Sequence, residues 1–182
     1  MTPAPTLTTA RLLLRGPEKR DLAPFTKWVT TSARMKAVGG NDNEGNAWRG
    51  FLAGIGHWQW HGYGLFTVTD KATGIAAGRV GILHHVEWPQ PELAWHVYDG
   101  FEGKSYAFEA ACAVREWAGG TLGLQPLISL IAPTNFRSLN LATRLGCVEE
   151  SRDKVRDEKV IVFRHLRHDD PRARTQASRA IA

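Results

Sequence analysis

The segment Gly100-Phe101-Glu102-Gly103-Lys104-Ser105-Tyr106-Ala107 joins a short apolar run, Leu93 to Val97, to an amphipathic one, Phe108 to Trp117. Strand, small-residue turn and helix in that order leave backbone N–H groups unpaired at the start of a helix, where the helix dipole favours an anion. The chemistry on offer is phosphate binding. Two patterns for it fail. Gly103-Lys104-Ser105 ends like a P-loop, but position 98, where G-x-x-x-x-G-K-[ST] needs glycine, is Tyr98. No G-x-G-x-x-G is present for a dinucleotide turn.

Other residues carry chemistry of their own. Strand alternation puts Glu92, Ala94 and His96 on one face, so a carboxyl and an imidazole, both able to move protons, share it. Asn135 is an N-cap by type, and Ser138 lies three residues on, on the same helix face. His57 and His61 are spaced as in a zinc-protease helix, but Trp58 stands where that motif needs Glu. His84, His85 and Glu87 cluster without a further ligand placed by the sequence, so no metal is expected.

These residues need a scaffold. The chain has 182 residues, 43% hydrophobic and 23% charged, which suits one domain with a sizeable core. No apolar run is long enough to span a membrane, and Met1 to Thr9 lacks a signal-peptide pattern. Cys112 and Cys147 make no disulfide framework, so a cytoplasmic setting is expected, with Cys112 a buried small hydrophobe. The net charge of +5 is weighted toward the end of the chain, where Arg167, Arg172, Arg174 and Arg179 face only Asp169 and Asp170. Residues 1–167 then read as the domain and 168–182 as a basic, solvated tail. Nucleic-acid binding through that tail is one alternative function, but no aromatic residues interleave the arginines to give a stacking platform.

Hydrophobic periodicity places strands at Arg11–Arg15, Tyr63–Thr69, Ile75–Leu83, Glu92–Val97, Leu127–Ile131, Cys147–Arg152 and Val160–Leu166. Gly78 and Gly81 mark bulges within the third. Helices are expected over Asp21–Met35, around Trp48 to Trp58 up to Gly62, from Phe108 to Gly119-Gly120, and over Phe136–Leu145. Asn41-Asp42-Asn43 caps the second of these. The order is that of a mixed α/β domain.

A third phosphate pattern, Q/R-x-x-G-x-G/A, covers the same turn, and here the sequence resembles the GNAT acetyltransferases over roughly Thr8 to Leu166. It is most similar to the branch that acetylates ribosomal-protein N-termini. The matching pieces are T-x-R-L-x-L-R at Thr9 to Arg15, Gly62-Tyr63-Gly64-Leu65-Phe66, Gly74-x-x-x-Gly78 and Pro91-Glu92-Leu93-Ala94-Trp95. Gly103 to Ala110, Pro133-Thr134-Asn135-Phe136-Arg137-Ser138 and Arg144-Leu145-Gly146 complete the set. Glu102 replaces the usual Gln or Arg, Ser105 the middle glycine, and Ala142 a tyrosine that many relatives use as an acid. A serine at 105 is harmless only at negative φ, and Lys104 can offset the charge of Glu102.

The resemblance implies a single α+β domain, with a mixed, mostly antiparallel sheet of about six or seven strands flanked by helices. The fourth and fifth strands, at Trp95–Val97 and Leu127–Ile131, are implied to splay. It further implies an enzyme that transfers an acetyl group from acetyl-CoA to a primary amine by direct attack on the thioester, with no metal. The acceptor is a protein N-terminus or a small-molecule amine, and few acidic residues flank the site to favour a polycation. Trp95 and Val97 would meet the pantetheine arm, with Val97 presenting backbone to the acetyl end. Backbone N–H groups of Glu102, Gly103, Lys104, Ser105, Tyr106 and Ala107 would take the pyrophosphate. Asn135 and Ser138 would contact the arm, Ser138 serving as acid to the sulfur, with Glu92 or His96 as base. The loop His84 to Pro89, Trp58 and Trp60 are candidates for the acceptor side. No membrane partner is implied, and the state would be monomer or homodimer. A module that binds CoA but has lost catalysis is the other alternative, given Glu102, Ser105 and Ala142.

Overall fold

The computed structural model describes residues 4–38, 43–155 and 157–181. Its elements run β1 (Leu7–Thr8), β2 (Leu12–Arg15), α1 (Leu22–Thr31), α2 (Glu44–His61), β3 (Leu65–Asp70), β4 (Ala76–Leu83) and β5 (Glu92–Val97). Then follow α3 (Tyr106–Gly120), β6 (Ile128–Ile131), α4 (Phe136–Arg144), β7 (Val148–Val155), β8 (Glu158–Arg164) and α5 (Pro171–Ile181). One sheet holds all eight strands in the order β1-β2-β3-β4-β5-β6-β8-β7. Every neighbouring pair is antiparallel except β5 with β6. The sheet thus has one strand more than the upper count expected from the sequence. β1 has two residues, too few to show alternation.

The apolar residues of the strands pack mainly against α3. Leu12, Leu14, Phe66, Val80, Ile82 and Leu93 are sealed there with Ala110, Val114 and Trp117. A second cluster joins Phe25, Trp28 and Val29 of α1 to Ala47 and Phe51 of α2 and to Tyr98. Beneath α1 the sheet carries a polar row, because Arg15, Thr67, Arg79 and His96 stand opposite one another on β2, β3, β4 and β5. Asp21 anchors the row. It accepts from Arg15 Nη1 and Nη2 at 2.7 and 2.8 Å, from Thr67 Oγ1 at 2.9 Å and from the Glu18 N–H at 2.8 Å. Arg79 lies over the Phe25 ring, 4.6 Å from its centroid.

The opening T-x-R-L-x-L-R motif is now explained by contacts. Leu12 and Leu14 fill the core. Thr9 Oγ1 and the Arg11 N–H donate to Glu109 Oε1, and Arg11 Nε donates to Oε2 at 2.7 Å. This ties the first strands to α3, whose N-terminus faces the site.

Two expectations change. Residues beyond 167 do not trail as a solvated tail: α5 packs on α3, with Ala173, Ala177 and Ala180 buried. Arg115 Nη2 donates to Gln176 Oε1 at 2.6 Å, and the Ala10 N–H donates to the Ala180 carbonyl. The arginines of this segment therefore decorate a docked helix, and Arg172 pairs with Asp170. Second, the helix expected over Asp21–Met35 stops at Thr31. Ser32 turns extended and its hydroxyl donates to Asp99 Oδ1 at 2.8 Å, so the chain bends toward the loop after β5. The Asn43 cap on α2 is present, its side chain accepting the Asn46 N–H, while Asn41 and Asp42 lie outside the described residues. Among the described residues no helix is long and apolar enough to cross a membrane.

Candidate active site

β5 and β6 pair at Glu92–Ile128 and then part. The splay implied for this strand pair is therefore present. On the other side of β5, a Cβ at Gly78 would stand 2.1 Å from the His96 carbonyl oxygen, so only glycine lets β4 run this close to β5. The register shifts here, Val68 pairing with Gly78 and Thr69 with Ala76, so β4 carries the extra residue, Ala77, next to Gly78 as the bulge expected there requires, while Gly81 pairs in register. Between the parted strands, α3 and α4 opens a cleft of about 840 Å³.

One wall is the turn before α3. Ser105 is the N-cap of α3 at φ 61°, ψ 17°, with no side-chain cap bond. The N–H groups of the first turn therefore have no partner within the helix. They lie at the cleft wall, which Ser105, Tyr106, Ala107 and Phe108 line. The left-handed conformation is the one in which serine is strained where glycine is not. The turn keeps its shape because Arg144 Nη2 donates to Ser105 Oγ at 3.1 Å, pinning it to α4.

The Glu102 carboxylate is turned away from these N–H groups. Oε2 accepts the Gly100 N–H at 2.6 Å and Oε1 pairs with Arg34 at 3.1 Å. The bend at Ser32 delivers Arg34 to this position, where it also pairs with Asp99. Lys104 was expected to balance Glu102, but its ammonium instead lies over the Phe101 ring, 4.9 Å from the centroid. Tyr106 points into the protein, its hydroxyl donating to Asp70 Oδ2 at 2.7 Å. The Tyr106 side chain is therefore turned from the cleft, and this residue has only backbone to offer a ligand.

The opposite wall is α4. Asn135 caps it, accepting the Ser138 N–H at 3.2 Å, and both residues line the cleft. Ser138 Oγ accepts the Trp95 Nε1–H at 3.1 Å, so its own proton is not drawn into that bond. Arg137 and Arg144 also line the cleft. Neither is marked as a site residue by a motif in the sequence, although their i, i+7 spacing puts them on one helix face. Their charges suit a pyrophosphate. Ala142 is fully buried against Ile131, Ile161 and Phe163, so nothing acidic replaces the tyrosine of relatives there.

Along β5, Trp95, His96 and Val97 line the cleft. Across from them stand Trp28, Ala33 and Arg34, which the sequence did not mark as site residues. Trp28 and His96 lie with ring centroids 5.1 Å apart. His96 is half-buried as a residue, but its Nδ1 is sealed from solvent without a partner, as is Trp28 Nε1. Burial, with Arg79 nearby, pushes His96 down to about 3, so the ring is neutral throughout the physiological range. Glu92 stands at the apex of the fork rather than on the cleft wall, with Oε1 accepting the Leu130 N–H at 2.9 Å. Burial pushes its carboxyl up to about 8, against the lowering effect of that bond.

The remaining candidates fall elsewhere. His57 donates from Nδ1 to the Tyr63 carbonyl and accepts the His84 N–H at Nε2, so it ties α2 to the end of β4. Among the described residues no group of three or more His, Cys, Asp or Glu could hold a metal ion. Trp58 is core, donating to the Leu65 carbonyl, and Trp60 is 85% exposed. Neither they nor residues 84–89 line the cleft.

A parallel pair that forks over a helix N-terminus, faced by a capped helix with two arginines, suits a phosphate-bearing ligand. Comparison with known proteins agrees. The profile of the Acetyltransferase (GNAT) domain family matches residues 11–148. An acetyltransferase of Agrobacterium tumefaciens superposes with a TM-score of 0.83 at 33% identity, over 92% of this chain and 97% of that one. Mycobacterium smegmatis RimJ, solved with CoA-disulfide, gives 0.75 at 17% identity over 100% of this chain and 98% of that one. The ribosomal-protein-S5-alanine acetyltransferase of Vibrio fischeri gives 0.65 at 16%, over 91% and 98%. At such identities these last two speak for the fold. The chain belongs to the GNAT acetyltransferase family and is an N-acetyltransferase.

Proposed function

We propose that the protein transfers an acetyl group from acetyl-CoA to a primary amine, the amine attacking the thioester carbonyl directly. The observation that carries this is the fork itself: a strand edge with free backbone runs from a base-capable carboxyl to a set of unpartnered N–H groups. The pantetheine arm would lie against β5 as an added strand. The N–H groups of residues 103–107 would take the pyrophosphate, with Arg137 and Arg144 balancing its charge. The Val97 backbone is assigned to the acetyl end, where an N–H would stabilise the oxyanion. The acceptor enters past Trp28 and Arg34, whose guanidinium is already paired with Asp99 and Glu102. Two cysteines free of disulfides fit a cytoplasmic setting.

Of the two candidate bases, Glu92 takes the role. An imidazole pushed down to about 3 is too weak to accept a proton from an ammonium, whereas a carboxyl near 8 is matched to it. Glu92 receives the proton through water, and turnover rises with pH as Glu92 ionises. Collapse of the tetrahedral adduct breaks the C–S bond, and the Ser138 hydroxyl donates a hydrogen bond to the leaving thiolate. Trp95 holds Ser138 in the rotamer that leaves this proton free.

Calorimetric titration and a steady-state turnover assay test these two points. Acetyl-CoA is expected to bind one site per chain in wild type and Ser138→Ala alike, while kcat of Ser138→Ala falls about tenfold, the worth of one hydrogen bond to a developing charge. No binding to wild type would sink the proposal, and unchanged turnover would remove Ser138 from the acid role.

A further inference from the structure

A regular parallel ladder would continue from Glu92–Ile128 with a bond from the Leu130 N–H to the Leu93 carbonyl. Both groups are at hand, and each is bound elsewhere. The Leu130 N–H donates to Glu92 Oε1 at 2.9 Å, and the Leu93 carbonyl accepts the Ser129 hydroxyl at 2.6 Å. The rung that would close the fork is shared out between a carboxyl and a hydroxyl. Buried backbone groups demand partners, so two strands can part inside a core only if side chains supply them.

Ser129 is 1% exposed and has one proton, which goes to Leu93. Its oxygen must therefore accept from His165 Nε2–H, at 2.9 Å. That sets the tautomer of His165, whose Nδ1 then accepts the Cys147 S–H at 3.3 Å. Burial, with Arg115 and Arg164 nearby, pushes His165 down to about 3, and burial pushes the Cys147 thiol up to about 12. The chain Cys147–His165–Ser129–Leu93 thus runs in one direction with every member neutral.

We propose that Ser129, oriented by His165, is a positioning residue that, with Glu92, holds the first missing rung open and so fixes the Glu92 carboxyl at the apex of the fork. This rests on the base role given to Glu92 above. Without the Ser129 hydroxyl the Leu93 carbonyl is left unpartnered, and the Leu130 N–H is the donor next to it. The ladder then advances one rung, and Glu92 loses the N–H that favours its charged form. Of the other groups around the fork, His96 is held neutral by burial and the Cys147 thiol is raised to about 12. His165 is neutral, Arg164 pairs with Glu150, and Arg115 donates to the Leu145 carbonyl and Gln176.

The test compares wild type with Ser129→Ala and Ser129→Thr. Ser129→Ala is expected to raise the KM for acetyl-CoA about tenfold and to move the rising limb of the kcat/KM profile upward by about one pH unit. Ser129→Thr, which keeps the hydroxyl, restores both. A lower Tm with KM and limb unchanged overturns the proposal, because a merely structural serine would do that. Should Ser129→Ala fail to fold, the ¹⁵N shift of the Leu130 amide in wild type decides. It is expected to titrate with Glu92 and to lose that titration in Glu92→Gln, and an amide indifferent to Glu92 overturns the divided rung. Absence of turnover in wild type would overturn the catalytic proposal alone, since the amide titration needs no acceptor.

Discussion

Glu92→Gln is expected to lower kcat by about 10²–10⁴-fold, the usual worth of a general base, and to abolish the rising limb of the pH–rate profile near pH 8. The same substitution is expected to stabilise the fold in alkali, and the sign follows from linkage. The folded carboxyl is raised from 4.5 to about 8, so its contribution is fully present below the unfolded value and is lost as pH rises through the folded one. Above pH 8 wild type must hold a buried charge, at a cost of roughly 5 kcal/mol. Glutamine keeps an acceptor for the Leu130 N–H without that charge. Urea unfolding at pH 6 and pH 9 should show wild type losing stability over this interval and Glu92→Gln holding it. A variant slower and less stable at both pH values would mean that Glu92 serves only packing.

Asp21→Ala is expected to cost about 3–5 kcal/mol, the range for removing one member of a buried ion pair. Asp21 and Arg15 have side chains only 4% and 13% exposed, so the stranded guanidinium cannot turn to water without moving α1. Burial alone would raise the Asp21 carboxyl. Arg15, the Glu18 N–H and Thr67 together outweigh it and hold the group below its ordinary 3.8. Its contribution is therefore present above that value and lost as pH falls below it. Urea unfolding at pH 7 should show the full loss, and the difference between variant and wild type should shrink toward pH 3. Because α1 carries Trp28 and leads to Arg34, KM for the acceptor should rise in any fraction that remains folded.

The local signals in the chain were legible. The glycine turn before α3, the Asn43 and Asn135 caps and the β3–β4 hairpin each rest on residues close in sequence, whose chemistry decides the backbone on its own. What escaped rests on distant partners. The helix break at Ser32 depends on Asp99, and the harmlessness of Glu102 depends on Arg34, neither close in sequence. The basicity of His96 failed to survive because burial beside Arg79 outweighs the ordinary value of an imidazole. In α5 the buried Ala173, Ala177 and Ala180 sit at helical spacing, but alanine is too weakly apolar to announce a docked face among arginines. The rung divided between Glu92 and Ser129 needed the strand register, which no sequence pattern supplies.

The most direct measurement is release of the CoA thiol from acetyl-CoA by wild-type protein, over a panel of peptide N-termini and small primary amines. At least one amine should drive thiol release far above the rate without acceptor, with one acetyl group gained per thiol freed and a rate that climbs through about pH 8. Tight acetyl-CoA binding with no amine in the panel raising thiol release would contradict catalysis at this fork and leave a protein that binds the cosubstrate without using it.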